Sequence, residues 1–141
     1  MLDQEYLMPF IHSMQNVFSM MLQLDVQMGE PVIKTDMVAS CDISGIIGFS
    51  GDISGSAVLS FPMITGERVV ALFTGEQLDH TDSDFADAIG ELTNMISGNA
   101  KAEFKGRRIS ISTPSVVVGS GHHVARPKDI PCVAIPCTTD C

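Results

Sequence analysis

Four residues in one stretch, Asp87, Glu91, Asn94 and Gly98, have the types and spacing to do chemistry. On a helix turning about 100° per residue they fall within about 60° of one another. Two carboxylates can meet a cation. An amide can donate and accept a hydrogen bond at once, so this set can hold a polar group or a water molecule in a chosen place. Nearly opposite, Phe85, Ile89, Leu92 and Ile96 form an apolar band that Ala88 and Met95 widen. One face of this helix is built for a core, and the other carries two carboxylates, an amide and a gap.

A charged face opposite an apolar stripe is ordinarily a solvated surface. A surface tuned for stability alone would use Glu, Lys, Gln, Arg and Ala, the good helix formers. This stretch instead uses Thr93, Asn94, Ser97, Gly98 and Asn99, with Gly90 close by. Each interior glycine costs about 1 kcal/mol of helix stability relative to alanine. Such costs beside a carboxylate and an amide point to another backbone approaching closely there. On these residues alone the solvated and the functional face both stand.

The rest of the chain has to position that helix. At 141 residues, 45% hydrophobic and 18% charged, it is read as one domain spanning residues 1–141 with a sizeable core. The formal charge of −9, with eight Lys and Arg, repels phosphate backbones and anionic membrane surfaces. That composition points away from nucleic acid and membrane and towards a basic patch on another protein. An acidic N-terminus without a signal-peptide pattern predicts a cytoplasmic protein with Cys41, Cys132, Cys137 and Cys141 as reduced thiols.

Tyr6, Phe10, Met14, Val17, Phe18, Met21 and Leu22 recur at threes and fours and predict a helix over 9–24, with Pro9 in its first turn and Gly29 and Pro31 ending the segment. Its Met stripe reads as core. Strands are predicted over 31–39, 43–49 and 57–61, the last two an antiparallel hairpin across a loop at 50–55. A short helix over 63–73 stops at Gly75. Asp82 or Ser83 caps the central helix, Gly106 follows it as C′, and strands over 107–112, 115–118 and 130–135 complete the chain. Pro114 and Gly119-Ser-Gly121 punctuate that last region. The order predicts an α+β domain with a mainly antiparallel sheet of about six strands and long helices packed on it.

Other chemistry is thinly supported. His122 and His123 with Cys132, Cys137 and Cys141 match no common zinc spacing. The glycines at 45, 48, 51 and 55 fit no phosphate-binding loop, and no Gly-x-Ser-x-Gly elbow occurs. The acids from Asp79 to Asp84 suit the positive end of a helix dipole without any metal.

The pattern Asp87-x-x-x-Glu91-x-x-Asn94-x-x-x-Gly98 resembles the signature of the CheC/CheX/FliY family of chemotaxis phosphatases, most closely its CheX-like members. The similarity runs on through Pro9-Phe-Ile-His-Ser, Ile47-Gly-Phe-Ser-Gly51, Val58-Leu-Ser-Phe-Pro62 and Thr113-Pro-Ser-Val-Val-Val-Gly-Ser-Gly-His122. CheC carries two such motifs; here the equivalent spacing from Ser13 falls on Val17 and Met20. A single motif is the CheX pattern.

The resemblance implies an enzyme that removes the phosphoryl group from the aspartyl phosphate of CheY, a response-regulator receiver domain. By position Asn94 would orient the attacking water and Glu91 would pair with the receiver's active-site lysine. Asp87 and Gly98 would contact the partner, with Gly98 and Gly90 small to admit it. The chain would need no cofactor of its own, since Mg2+ belongs to the receiver. The family resemblance also implies a homodimer formed by pairing sheet edges, although CheX-like domains continue with another strand past the position of Cys141. A non-catalytic module docking a signalling or flagellar switch protein is the alternative.

Overall fold

The computed structural model describes residues 4–33, 41–122, 124 and 133–139. The chain opens with α1 (Gln4–Val17), which passes directly into a π-helical turn (Phe18–Leu22) and stops at Gln23 in the left-handed region, φ 56°. Strands β1 (Val26–Met28) and β2 (Val32–Ile33) follow. The long β3 (Cys41–Gly51) turns into β4 (Gly55–Phe61), and α2 (Met63–Thr74) leads to α3 (Ser83–Glu103). Then come β5 (Ile109–Ile111), β6 (Ser115–His122), β7 (Val133–Ala134) and β8 (Cys137–Thr139).

All described strand pairs are antiparallel, and β3 is the hub. One side of β3 pairs with β4, from Ile43 opposite Phe61 to Phe49 opposite Gly55. Its other side takes β6 near its start and β5 near its end, with a register irregularity between Cys41 and Ile43. Two short ladders, β1–β8 and β2–β7, tie the end of the chain to the segment after the first helix. The architecture is α+β and antiparallel, as expected.

The core is the meeting of α3 with α1, α2 and the hub strand. Phe85, Ile89, Leu92, Ile43 and Val69 are all 1% exposed or less. Burying each such side chain contributes about 1.5–3 kcal/mol. Phe18 and Phe61 stack across this core at 6.5 Å between ring centroids, and Phe10 meets Phe49 edge-on at 5.2 Å. The central helix begins where a carboxylate can satisfy its free donors: Asp82 is the N-cap, its Oδ1 accepting from Asp84 N at 2.9 Å.

Several boundaries differ from expectation. Pro9 lies inside α1, because the helix starts at Gln4. The helical run ends at Leu22 with Gln23 as its cap, close to the expected end at residue 24, and β1 occupies residues to which no element was assigned. The π-helical turn adds a residue to the local repeat, so Phe18 and Leu22 stay buried while Met21 turns outward. Gly75 caps α2 at φ 79° as expected. Phe104, not a residue next to Gly106, caps α3. Gly119-Ser-Gly121 lies within β6 instead of ending it, and the β3–β4 loop shrinks to residues 52–54. Most of the strand expected over 31–39, and residues 130–132 of the last one, lie outside the described residues.

Candidate functional site on α3

The apolar band of α3 fixes which way the helix faces. Phe85, Ala88, Ile89, Leu92, Ile96 and Ala100 are buried, and this leaves Asp87 and Glu91 exposed with Asn94 and Gly98 half-exposed. Side chains three and four apart on a helix are neighbours, so Asp87, Glu91 and Asn94 form one row. None of these three has a hydrogen bond or ion pair to any described residue. Among the described residues no buried side-chain nitrogen or oxygen is unpaired. Unused donors, acceptors and charge therefore sit together on one outward face of a rigid helix.

The flank of that face is different from what the sequence suggests. Thr93 and Ser97, grouped by residue type with the polar face, are 2% and 1% exposed. The Thr93 hydroxyl donates to the Ile89 carbonyl at 2.7 Å, and its side chain rests on Gly45 of β3. A Cβ at position 45 would drive into the Thr93 hydroxyl, so this glycine lets helix and sheet meet at backbone distance.

The two glycines of α3 also separate. A Cβ on Gly90 would lie 3.4 Å from both Pro114 Cγ and Val116 Cγ2, so β6 packs over Gly90 and leaves room there for no more than a methyl group. It is not open to a partner's backbone, and that expectation is corrected. At Gly98 an added Cβ would meet nothing within 4 Å, which leaves open space over the motif face.

Pro114 and Val116 are site neighbours that the sequence did not reveal. With Ala86, Asp87, Gly90 and Glu91 they line a trough beside the motif row. Their signals were a proline before a strand, which reads as punctuation, and a place in the Thr113–His122 stretch that resembles the family, and neither put them beside the helix; register does that.

The scattered Cys and His residues do not assemble into one site. His122 Nε2 lies 2.8 Å from Ser44 Oγ and 3.6 Å from Cys41 Sγ, while its Nδ1 is 2.8 Å from the Gly119 carbonyl. A carbonyl only accepts, so Nδ1 donates to it, and in the neutral ring Nε2 accepts from Ser44. Ser44 is fully buried, so its hydroxyl is not presented to solvent. Cys137 sits apart, 3.4 Å from Met28 Sδ and 3.8 Å from Met14 Sδ. Burial pushes its thiol pKa up, away from the thiolate that a nucleophile or metal ligand requires. Among the described residues no three His, Cys, Asp or Glu side chains could hold a metal ion. His123, Cys132 and Cys141 lie outside those residues. No helix among the described residues is long and apolar enough to cross a membrane.

An α+β domain with a single acidic-amide row on its central helix defines a class. Residues 43–138 match the family model described as chemotaxis phosphatase CheX. The chain belongs to that family, and with it to a class of phosphatases. It is 30% identical over 121 residues to the CheY-P phosphatase CheX of Thermotoga maritima, covering 84% of this chain and 78% of that one. The crystal structure of a chemotaxis protein CheX from Desulfovibrio desulfuricans superposes with TM-score 0.88 at 35% identity, covering 96% and 92% of the two chains. CheX in the CheX–CheY–BeF3–Mg2+ complex from Borrelia burgdorferi superposes with TM-score 0.68 at 25% identity, covering 82% and 77%.

Proposed function

We propose that this chain hydrolyses the aspartyl phosphate of a CheY-type receiver domain, with Asn94 orienting the water and Glu91 pairing with the receiver's active-site lysine. The observation that carries this reading is the outward row on α3, where Glu91 and Asn94 have no partner within the described chain. Membership of the CheX family and the CheY complex of the Borrelia relative support it.

The division of labour follows from phosphoryl-transfer chemistry. A receiver that holds its own Mg2+ and lysine already stabilises charge on the phosphoryl group, so a water in line is the missing part. Asn94 would accept one water hydrogen and donate to its oxygen or to a phosphoryl oxygen. The water oxygen bonds to phosphorus as the bond from phosphorus to the aspartyl oxygen breaks. The leaving carboxylate is weakly basic and needs no acid, and the water's proton leaves with the phosphate. Glu91, one turn away, would fix the receiver through its lysine, with Asp87 at the rim and Gly98 giving its loops room. The chain would contribute no metal of its own and act in the cytoplasm.

Single-turnover decay of phosphorylated CheY tests this. Asn94→Ala should lose about 10²-fold or more of the acceleration while still binding the receiver, as expected when a positioning group is removed. Glu91→Ala should weaken binding as well as rate. Equal decay with and without the wild-type chain, across the receivers of the same genome, would leave a docking module instead. Homodimerisation belongs to the same proposal, and light scattering at twice the 15.1 kDa chain mass would support it, whereas a monomer would reject it.

A further inference from the structure

The trough beside the motif row has a shape and a charge distribution that Glu91 and Asn94 do not account for. Buried Gly90 lies at its base, half-buried Ala86, Pro114 and Val116 line it, and exposed Asp87 and Glu91 border it. We infer that this trough is a subsite for a second basic side chain of the docked receiver, a lysine or arginine distinct from the active-site lysine assigned to Glu91. The inference rests on the receiver-docking reading above and adds a determinant of which receiver is accepted.

Lys and Arg are the side chains that match both parts of the site. Their aliphatic stems cover apolar surface while the charged head stays near water, and here the stem would lie on Pro114 and Val116. The head would reach Asp87, which has no partner within the described chain. A purely apolar side chain would desolvate the two bordering carboxylates without replacing their hydrogen bonds, and an acidic one would be repelled. The chain's net charge of −9 favours the same occupant. Asp87 then has a role of its own: it selects the partner, one turn away from the chemistry.

Gly90 makes the inference testable, because stability and docking should move in opposite directions. A methyl group there meets Pro114 and Val116 at 3.4 Å, the edge of ordinary contact, and fills the base of the trough. Replacing glycine inside a helix also favours the helical state. Binding of beryllofluoride-activated, Mg2+-loaded CheY receivers from the same genome is measured by calorimetry for the wild type, Gly90→Ala and Asp87→Asn. Gly90→Ala should keep or raise the melting temperature and weaken binding about tenfold.

A double-mutant cycle between Asp87→Asn and alanine variants of the receiver's surface Lys and Arg should find one residue, other than the active-site lysine, coupled at least threefold. Unchanged affinity in Gly90→Ala, or additivity at every cation, overturns the subsite. Decay of the phosphorylated receiver is followed in parallel. Trough effects without hydrolysis would remove the phosphatase reading and keep the subsite; hydrolysis with no trough effect would do the reverse. A receiver panel that does not bind at all removes both.

Discussion

The first and third helices are packed against each other in one core, yet only one presents a row of chemistry. On α3 the positions at i, i+4 and i+7 are Asp87, Glu91 and Asn94, turned away from the core. On α1 the same spacing gives Ser13 and Val17, 1% and 2% exposed, and it ends on Met20, 80% exposed, in the π-helical turn. Ser13 spends its hydroxyl on the Ile96 carbonyl of α3, so the first helix uses this row to dock the third. The difference teaches that spacing makes a site only when its phase relative to the core is outward. An identical pattern rotated inward, or interrupted by a change of helical repeat, is packing.

The largest test of that contrast is to write the motif into α1. Val17→Glu with Met20→Asn restores the spacing but buries a carboxylate without a partner, a cost of several kcal/mol against a typical stability of about 5–15 kcal/mol. Circular dichroism should show loss of the cooperative melt. A stable variant with added phosphatase activity would break the comparison.

Glycines give the next test, at smaller scale. Gly45→Ala should destabilise by about 1–3 kcal/mol through overpacking against Thr93. Gly98→Ala meets open space and should stabilise by up to about 1 kcal/mol through helix propensity while weakening receiver binding. Urea melts of the two should move in opposite directions; if both fall, Gly98 is a packing residue and the outward face is not open.

The smallest effect concerns the frame around α3. Asp42 accepts from Gly121 N at 3.0 Å and from Met63 N at 2.8 Å, tying the end of β6 and the start of α2 to the hub strand. The Gly121 bond first, then that to Met63, lowers its pKa. A lowered folded-state pKa means that its stabilisation is present in full above the unfolded value of about 3.9 and is lost as pH falls through the folded value. Asn keeps one acceptor and loses the other bond, so Asp42→Asn should melt below wild type at neutral pH. That gap should close as the pH falls below about 4. A gap independent of pH would show that the carboxylate charge does not matter there.

Much of the site could be read before any fold was known, because a helix repeat turns spacing directly into a face. Asp87, Glu91, Asn94 and Gly98 share a side for that reason alone, and the apolar band through Phe85, Ile89, Leu92 and Ile96 says which side is buried. Local signals also narrowed the cap to Asp82 or Ser83, of which the structure selects Asp82, and marked Gly75 as the stop. Short strands were harder. Three-residue runs such as Val26–Met28 and Cys137–Thr139 carry too little alternation to be recognised, and each exists because the other pairs with it.

The sequence by itself determined the amphipathic central helix, the antiparallel α+β class, the acidic balance and the row of polar residues. These depend on neighbours within a few positions or on composition. Only the tertiary structure decided that Gly90 faces β6 and Gly98 open space, that Thr93 and Ser97 belong to the core, and that Pro114 and Val116 line a trough beside the site. Each of those outcomes depends on which distant backbone comes to lie against α3. Register across the sheet sets that, and no local pattern encodes it.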